Sequence, residues 1–287
     1  MALAMAMALT SCVKDVEAPE DINWTLTVRA EKEDGPDTRG LSIGDGKDEA
    51  STTKLQSIWK DGEKVLVFQN GAVIGNLTAT PDAANAHLAT LTGTINSSSG
   101  FSGLTMLTPR ATWDYTGQDG SLGSIERRYQ FTMAQNVTVT SIQGNKITIE
   151  HVKFKNQQSI YRLNFRFQKD GAGDKVPITA RQAWFSAADA GLEQTCPVNR
   201  TASTGSIDVK LPTPTADPFF AALRFANTSK AEALNFKVLG DDGVTYYGSK
   251  TIPADCKPNG SFVSVKNAVL TERLEFDQSA TKVDTVL

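Results

Sequence analysis

The sequence is poor in the residues that carry out chemistry. Its 287 residues include two histidines, His87 and His151, and three cysteines, Cys12, Cys196 and Cys256. None of them falls in a CxxC or HxxxH spacing, which leaves too few soft ligands in register for a zinc site. There is no Gly-x-Ser-x-Gly elbow, and neither histidine sits in a motif that would make it a catalytic base. The segment from Gly40 to Asp48 has the glycines of a phosphate loop, but Asp48 stands where that loop needs Ser or Thr, and its carboxylate would repel a phosphate. Asp45, Asp48 and Glu49 lack EF-hand spacing and read as a solvated charge cluster. A net charge of -3 provides no basic field for nucleic acid. Beyond the N-terminus no run of about 18 apolar residues could span a membrane. These absences argue against an enzyme, a resident cofactor, a metal site and a nucleic-acid partner.

Long amphipathic helices are also lacking, and short runs with period-two alternation take their place. The run at Trp59–Phe68 organises the rest. A Lys60-Asp61-Gly62 turn leads into Val65-Leu66-Val67-Phe68, where Val65 and Val67 point to one face and Leu66 and Phe68 to the other. Both faces therefore need cover, as in the interior of a sandwich. Trp24, Leu26 and Val28 alternate with threonines in what reads as the first strand. Further β-rich runs are expected at Ala72–Thr80, His87–Ile95 and Phe101–Thr108. Val137–Ile142 and Lys146–Glu150 flank Gln143-Gly144-Asn145 as a hairpin. Val152 and Phe154 then fall out of phase with Ile147 and Ile149, which requires a bulge or a new element. Tyr161, Leu163, Phe165 and Phe167 alternate with Arg162, Asn164 and Arg166. Strands at Ile207–Leu211, Phe219–Phe225, Leu234–Val238, Val244–Ile252 and Phe262–Val269 complete a regular series. The length prior adds two units of roughly 120 to 140 residues, so the expectation is an all-β chain of two tandem sandwiches over residues 24–150 and 151–287. The polar, Gly-rich stretch Glu31–Thr53 is an exposed loop containing Arg39. Trp113, Tyr115, Tyr246 and Tyr247 offer a candidate carbohydrate platform, although most such aromatics pack a loop.

The first twelve residues, an uncharged apolar run ending in Leu9-Thr10-Ser11-Cys12, resemble a bacterial lipoprotein signal without its basic n-region. Residues 13–23 then read as a polar tether.

Most of the chain from Cys12 to about Phe167 resembles the fimbrillin family, the Mfa-like and FimA-like surface lipoproteins of Bacteroidetes that build type V pili, and the later half matches it only in style, through Phe220-Ala221-Ala222-Leu223-Arg224-Phe225 and Gly243-Val244-Thr245-Tyr246-Tyr247-Gly248. The residues that carry the likeness are Leu9-Thr10-Ser11-Cys12, Asp37-Thr38-Arg39-Gly40-Leu41-Ser42 ahead of Trp59-Lys60-Asp61-Gly62-Glu63-Lys64-Val65, Tyr115-Thr116-Gly117-Gln118-Asp119-Gly120-Ser121-Leu122, and Asn156-Gln157-Gln158-Ser159-Ile160. The resemblance implies two transthyretin-like β-sandwiches, lipidation at Cys12 and anchoring to the outer membrane at the cell surface. It also implies removal of the first strand by an Arg-directed protease at Arg39, with Arg29 as second choice and an ordinary loop cation as the plain alternative for Arg39. A donor strand from another fimbrial subunit then fills the vacated groove, making the chain a structural or tip subunit of an adhesive fimbria. The alternative is a stand-alone surface lipoprotein that binds a glycan or host protein through its loops. Leu274 and Phe276, then Val283 and Leu287, make the C-terminal tail the best donor in the sequence, weakened by the polar Asp277–Lys282 between them. In an exported protein Cys196 and Cys256, the pair remaining after Cys12, are expected to form a disulfide, with two separate thiols as the alternative.

Overall fold

The computed structural model of the chain describes residues 23–32, 41–43, 53–55, 57–97, 100–110, 112–169, 172–197, 201–254, 257 and 262–274. Nearly all of its regular structure is β. The first half holds β1 (Asn23–Lys32), the short pair β2 (Leu41–Ile43) and β3 (Thr53–Leu55), β4 (Lys64–Gln69), β5 (Ala72–Pro81), β6 (Leu88–Asn96), β7 (Leu104–Thr108), β8 (Thr112–Asp114), β9 (Thr132–Val137), β10 (Ser141–Gln143) and β11 (Lys146–Asn156). The second half holds β12 (Ser159–Phe167), β13 (Val176–Pro177), β14 (Ala180–Ala187), β15 (Leu192–Pro197), β16 (Ser203–Gly205), β17 (Ile207–Thr215), β18 (Phe219–Leu223), β19 (Glu232–Gly240), β20 (Thr245–Ile252), β21 (Phe262–Leu270) and β22 (Glu272–Leu274).

In the first half the sheet closes on itself. The order β1-β6-β5-β4-β7-β9-β11 returns to β1 through a parallel β1–β11 pairing, the one parallel pair in the ring. Inward residues of all seven strands, among them Leu26, Val65, Leu77, Leu91, Met106, Ala134 and Ile149, form one core. In the second half β12 runs between β18 and a parallel β21, and it faces the sheet β17-β14-β19-β20-β22. Leu163, Phe165, Phe185, Val209, Phe236 and Val238 fill the space between.

The central strand behaves as its pattern predicts: Val65 and Val67 belong to the first core, whereas Phe68 joins the second with Leu66 packed against it. The phase change after Ile149 is a bulge within β11, where the register against β1 shifts between Val28 and Ala30. Val152 and Phe154 therefore return to the first core and the strand runs through residue 150 to Asn156.

The two halves also share structure. β8 from the first half pairs with β15 from the second, with Trp113 opposite Cys196. The Tyr115–Leu122 loop enters the second half between β17 and β18. There the Gln118 side chain takes the place of a strand: its Nε2 donates to Ala222 O at 2.8 Å and its Oε1 accepts from Ala222 N at 2.7 Å. Gly120 lies at φ +77°, and a Cβ there would collide with Leu211 Cδ2. Gly120→Ala should accordingly cost about 2 to 3 kcal/mol, from left-handed backbone strain and overpacking together. Urea unfolding measures this, and a cost below about 0.5 kcal/mol would show that the loop yields instead.

Candidate functional site

The strongest site in the fold is the slot occupied by β1. The strand is hydrogen-bonded on both edges, with nine register pairs to β6, Asn23↔Asn96 through Glu31↔Leu88, and seven to β11. It is thus a closing strand with no free edge. Its alternation divides it cleanly: Leu26, Val28 and Ala30 are buried, while Thr25 and Arg29 are exposed and Thr27 and Glu31 half-buried. Burial of Leu26 and Val28 alone contributes roughly 1.5 to 3 kcal/mol each. At the N-terminal end Trp24 donates from Nε1 to Ser97 O at 3.2 Å and meets Phe101 edge-on at 5.0 Å.

The other end of the slot is polar. Lys32 continues the inward phase of Leu26, Val28 and Ala30, and only 5 % of it is exposed. Its ammonium donates to Ile58 O at 3.0 Å and to both oxygens of Glu63 at 2.8 Å, which accounts for all three of its protons. The Trp59 ring lies 4.4 Å from Nζ. Glu63 also accepts from Thr108 Oγ1 at 2.7 Å and from Lys60 N at 3.2 Å. Burial holds the Lys32 pKa below the ordinary lysine range, and the Glu63 carboxylate offsets that effect only in part. The motif Trp59-Lys60-Asp61-Gly62-Glu63 thus forms a socket for the cation that ends β1: its turn brings the Trp59 face and the Glu63 carboxylate to one point.

The second half repeats this device. Lys257, five positions before the parallel strand β21, has no exposed side-chain surface, and neither does its partner Glu232. Its Nζ donates to Glu232 Oε2 at 2.9 Å and Lys230 O at 2.7 Å, and it lies 5.0 Å from the Phe225 ring. Glu232 Oε1 accepts from Asp189 N at 2.7 Å and Ala190 N at 3.0 Å.

Of the residues singled out from sequence, Cys12, Arg39, Cys256, Phe276, Val283 and Leu287 lie outside the described residues. Arg29 sits inside β1 opposite Thr90, so its backbone is engaged in the sheet rather than displayed in a loop. Cys196 is in β15, and Leu274 is the last residue of β22, paired with Thr245 of β20. Of the four aromatics of the candidate carbohydrate platform, Trp113, Tyr115 and Tyr246 are 5 %, 0 % and 7 % exposed, so their faces are spent on packing, whereas Tyr247 is half-buried. Lys32 and Glu63 were missed as a functional pair. The available signal was the phase of Lys32, in register with Leu26, Val28 and Ala30.

No family model matches the chain, and no curated protein matches it. Solved structures that match the chain include a putative cell adhesion protein from Bacteroides fragilis NCTC 9343, at 11 % identity over 91 % of this chain and 100 % of that one, with a TM-score of 0.40. A putative adhesin from Bacteroides ovatus matches at 9 % identity over 85 % of this chain and 87 % of that one, with a TM-score of 0.41. A fimbrial protein from Bacteroides ovatus ATCC 8483 matches at 10 % identity over 89 % of this chain, with a TM-score of 0.34; this chain spans 51 % of its length.

Proposed function

We infer that this chain is a subunit of an adhesive cell-surface fimbria, with two transthyretin-like sandwiches, that assembles by strand addition into the slot of β1. The observation that carries the reading is the double pairing of β1. One N-terminal segment closes the first sheet, and its loss would expose unpaired backbone groups along both β6 and β11 above an apolar floor. With β1 in place the slot is filled and the precursor is monomeric. With β1 gone, an extended segment of another subunit completes the sheet. Cys12 is the lipid attachment point in this reading and Arg39 the processing position, because Arg29 is held within the strand. Cys196 and Cys256 form the disulfide of the second half. The stand-alone glycan or host-protein binder is the weaker alternative, since three of the four aromatics that would serve it, Trp113, Tyr115 and Tyr246, are buried.

Limited digestion of the full chain with an Arg-specific protease tests the assembly. Release of the N-terminal segment, checked by mass, should be followed by heat-sensitive ladders on unboiled detergent gels. Deleting Leu274–Leu287 should abolish the ladders and leave cleavage intact. A cleaved chain that stays monomeric at high concentration would exclude self-polymerisation and favour a tip subunit or a stand-alone binder.

A further inference from the structure

The outward face of the first sheet carries a cleft that strand addition does not use. Where β5, β6, β1 and β11 lie side by side, a cavity of about 780 Å³, open to solvent, crosses them, with Arg29, Asp82, Glu150 and His151 in its lining. Its make-up follows from the bulge in β11. Thr27 is in register with Thr148 and Val28 with Ile149, but the next pair is Ala30 with Val152. Glu150 and His151 therefore both fall beside Arg29, and both are exposed. A bulge re-aims side chains in this way and is frequent next to functional sites. On the other edge Arg29 is in register with Thr90, and Thr90 with Thr80.

The lining selects its ligand. The side chains of Arg29 and Glu150 share one cleft, yet neither has an ion pair or a hydrogen bond among the described residues. The hydroxyls of Thr27, Thr80, Thr90 and Thr148 in the same lining are equally without partners there. His151 is turned to Glu31, with Nε2 3.4 Å from Oε2, and Asp82 Oδ1 accepts from Ala84 N at 2.8 Å and Asn85 N at 3.2 Å. An anion in the cleft would meet Glu150 and Asp82 as well as Arg29, and a cation would meet Arg29. A neutral polyhydroxyl group suits both free charges: adjacent hydroxyls accept from the guanidinium fork, donate to the carboxylate and exchange hydrogen bonds with the threonines. The half-buried Pro81 and Leu88 supply an apolar patch for the C–H face of a sugar ring. The volume is that of a small-molecule site. We propose that this cleft binds a neutral saccharide, with Arg29 and Glu150 holding one sugar ring between them. This rests on the adhesive reading and names its ligand class. Because Thr27 and Arg29 belong to β1, the site exists only while β1 is in place, and a saccharide that spans β6, β1 and β11 holds β1 against release.

The intact chain, untreated with protease, is applied to an array of neutral, sialylated and sulfated glycans, and the strongest neutral glycan is then titrated by calorimetry. Only neutral glycans should bind. Arg29→Ala and Glu150→Gln should each weaken binding at least tenfold, and Thr90→Val, which keeps the shape and removes a hydroxyl, several-fold. Lys146→Ala, on β11 outside the cleft, should leave binding unchanged. All four positions are exposed, so none of these variants disturbs the core. A saturating dose of the same glycan should slow release of the N-terminal segment by an Arg-specific protease in the wild type and not in Glu150→Gln. No binding to any glycan, a preference for sialylated or sulfated ones, or full binding by both Arg29→Ala and Glu150→Gln would overturn the site. Binding with unslowed release would keep the site and overturn its hold on β1. Binding is read on the uncleaved monomer, so its failure leaves the ladders of the cleaved chain untouched, and a failure of the ladders leaves the saccharide site standing.

Discussion

Replacing Lys32 by methionine in the intact chain should lower the free energy of unfolding by about 3 to 5 kcal/mol, because it leaves Glu63 charged, largely buried and without a counter-ion. A lysine at the end of an exposed strand would cost less than about 1 kcal/mol, the range of surface ion pairs. The two outcomes are far apart. Lys32 is 5 % exposed and spends all three ammonium protons on Ile58 and Glu63, which places it on the costly side. The double variant Lys32→Met with Glu63→Gln should recover much of the loss. The amide oxygen of the glutamine still accepts from Thr108 Oγ1, and the isolated charge is gone. The two substitutions should thus be strongly non-additive. Urea unfolding followed by tryptophan fluorescence measures the cycle. A cost below about 1 kcal/mol for Lys32→Met, or simple additivity, would mean that the socket does not hold β1.

The strand pattern was legible in the sequence because alternation at period two is a local signal. Val65 and Val67 against Leu66 and Phe68 correctly announce a strand covered on both faces. The phase break at Val152 is equally plain, but sequence leaves open whether it ends a unit or bulges. The answer depends on β1, more than 100 positions earlier, which pairs on both sides of the shift. The burial of Trp113 was not legible for a related reason. Three-residue strands such as β8 are too short to show a period, and it is the pairing of β8 with β15 that buries Trp113. Gln118 reads as a loop residue because nothing local tells that its amide will complete the ladder beside Ala222. Lys32 is the most instructive miss. A lysine is read as solvated, and its burial depends on the Glu63 carboxylate, the Ile58 carbonyl and the Trp59 ring, all brought to it by the fold.

The second half should unfold in acid through its own buried pair. Burial alone would push the Glu232 pKa up, but the Lys257 ammonium and the backbone N–H groups of Ala190 and Asp189 outweigh it and hold the carboxyl below its ordinary range. A carboxyl that titrates lower in the folded chain than in the unfolded one adds stability above the unfolded pKa, and that stability is lost as pH falls through the folded value. Stability should therefore be level near neutrality and decline from the ordinary glutamate range downward. The neighbouring Asp189, paired with Lys230 at the exposed rim, is also shifted down, first of all by its hydrogen bond from Lys230, and it adds to the same limb. Glu232→Gln should cost about 3 to 5 kcal/mol at neutral pH, because Lys257 loses the carboxylate it is bonded to while keeping the Lys230 carbonyl. It should also flatten the acid limb, because the titrating group is gone. Asp189→Asn should leave neutral stability nearly unchanged, since an exposed pair contributes little. Unfolding free energies measured between neutral pH and pH 3 decide it. An acid limb that survives unaltered in Glu232→Gln would assign the acid sensitivity to other carboxylates. A neutral-pH cost below about 1 kcal/mol would show that the fold in front of β21 does not depend on the Lys257–Glu232 pair.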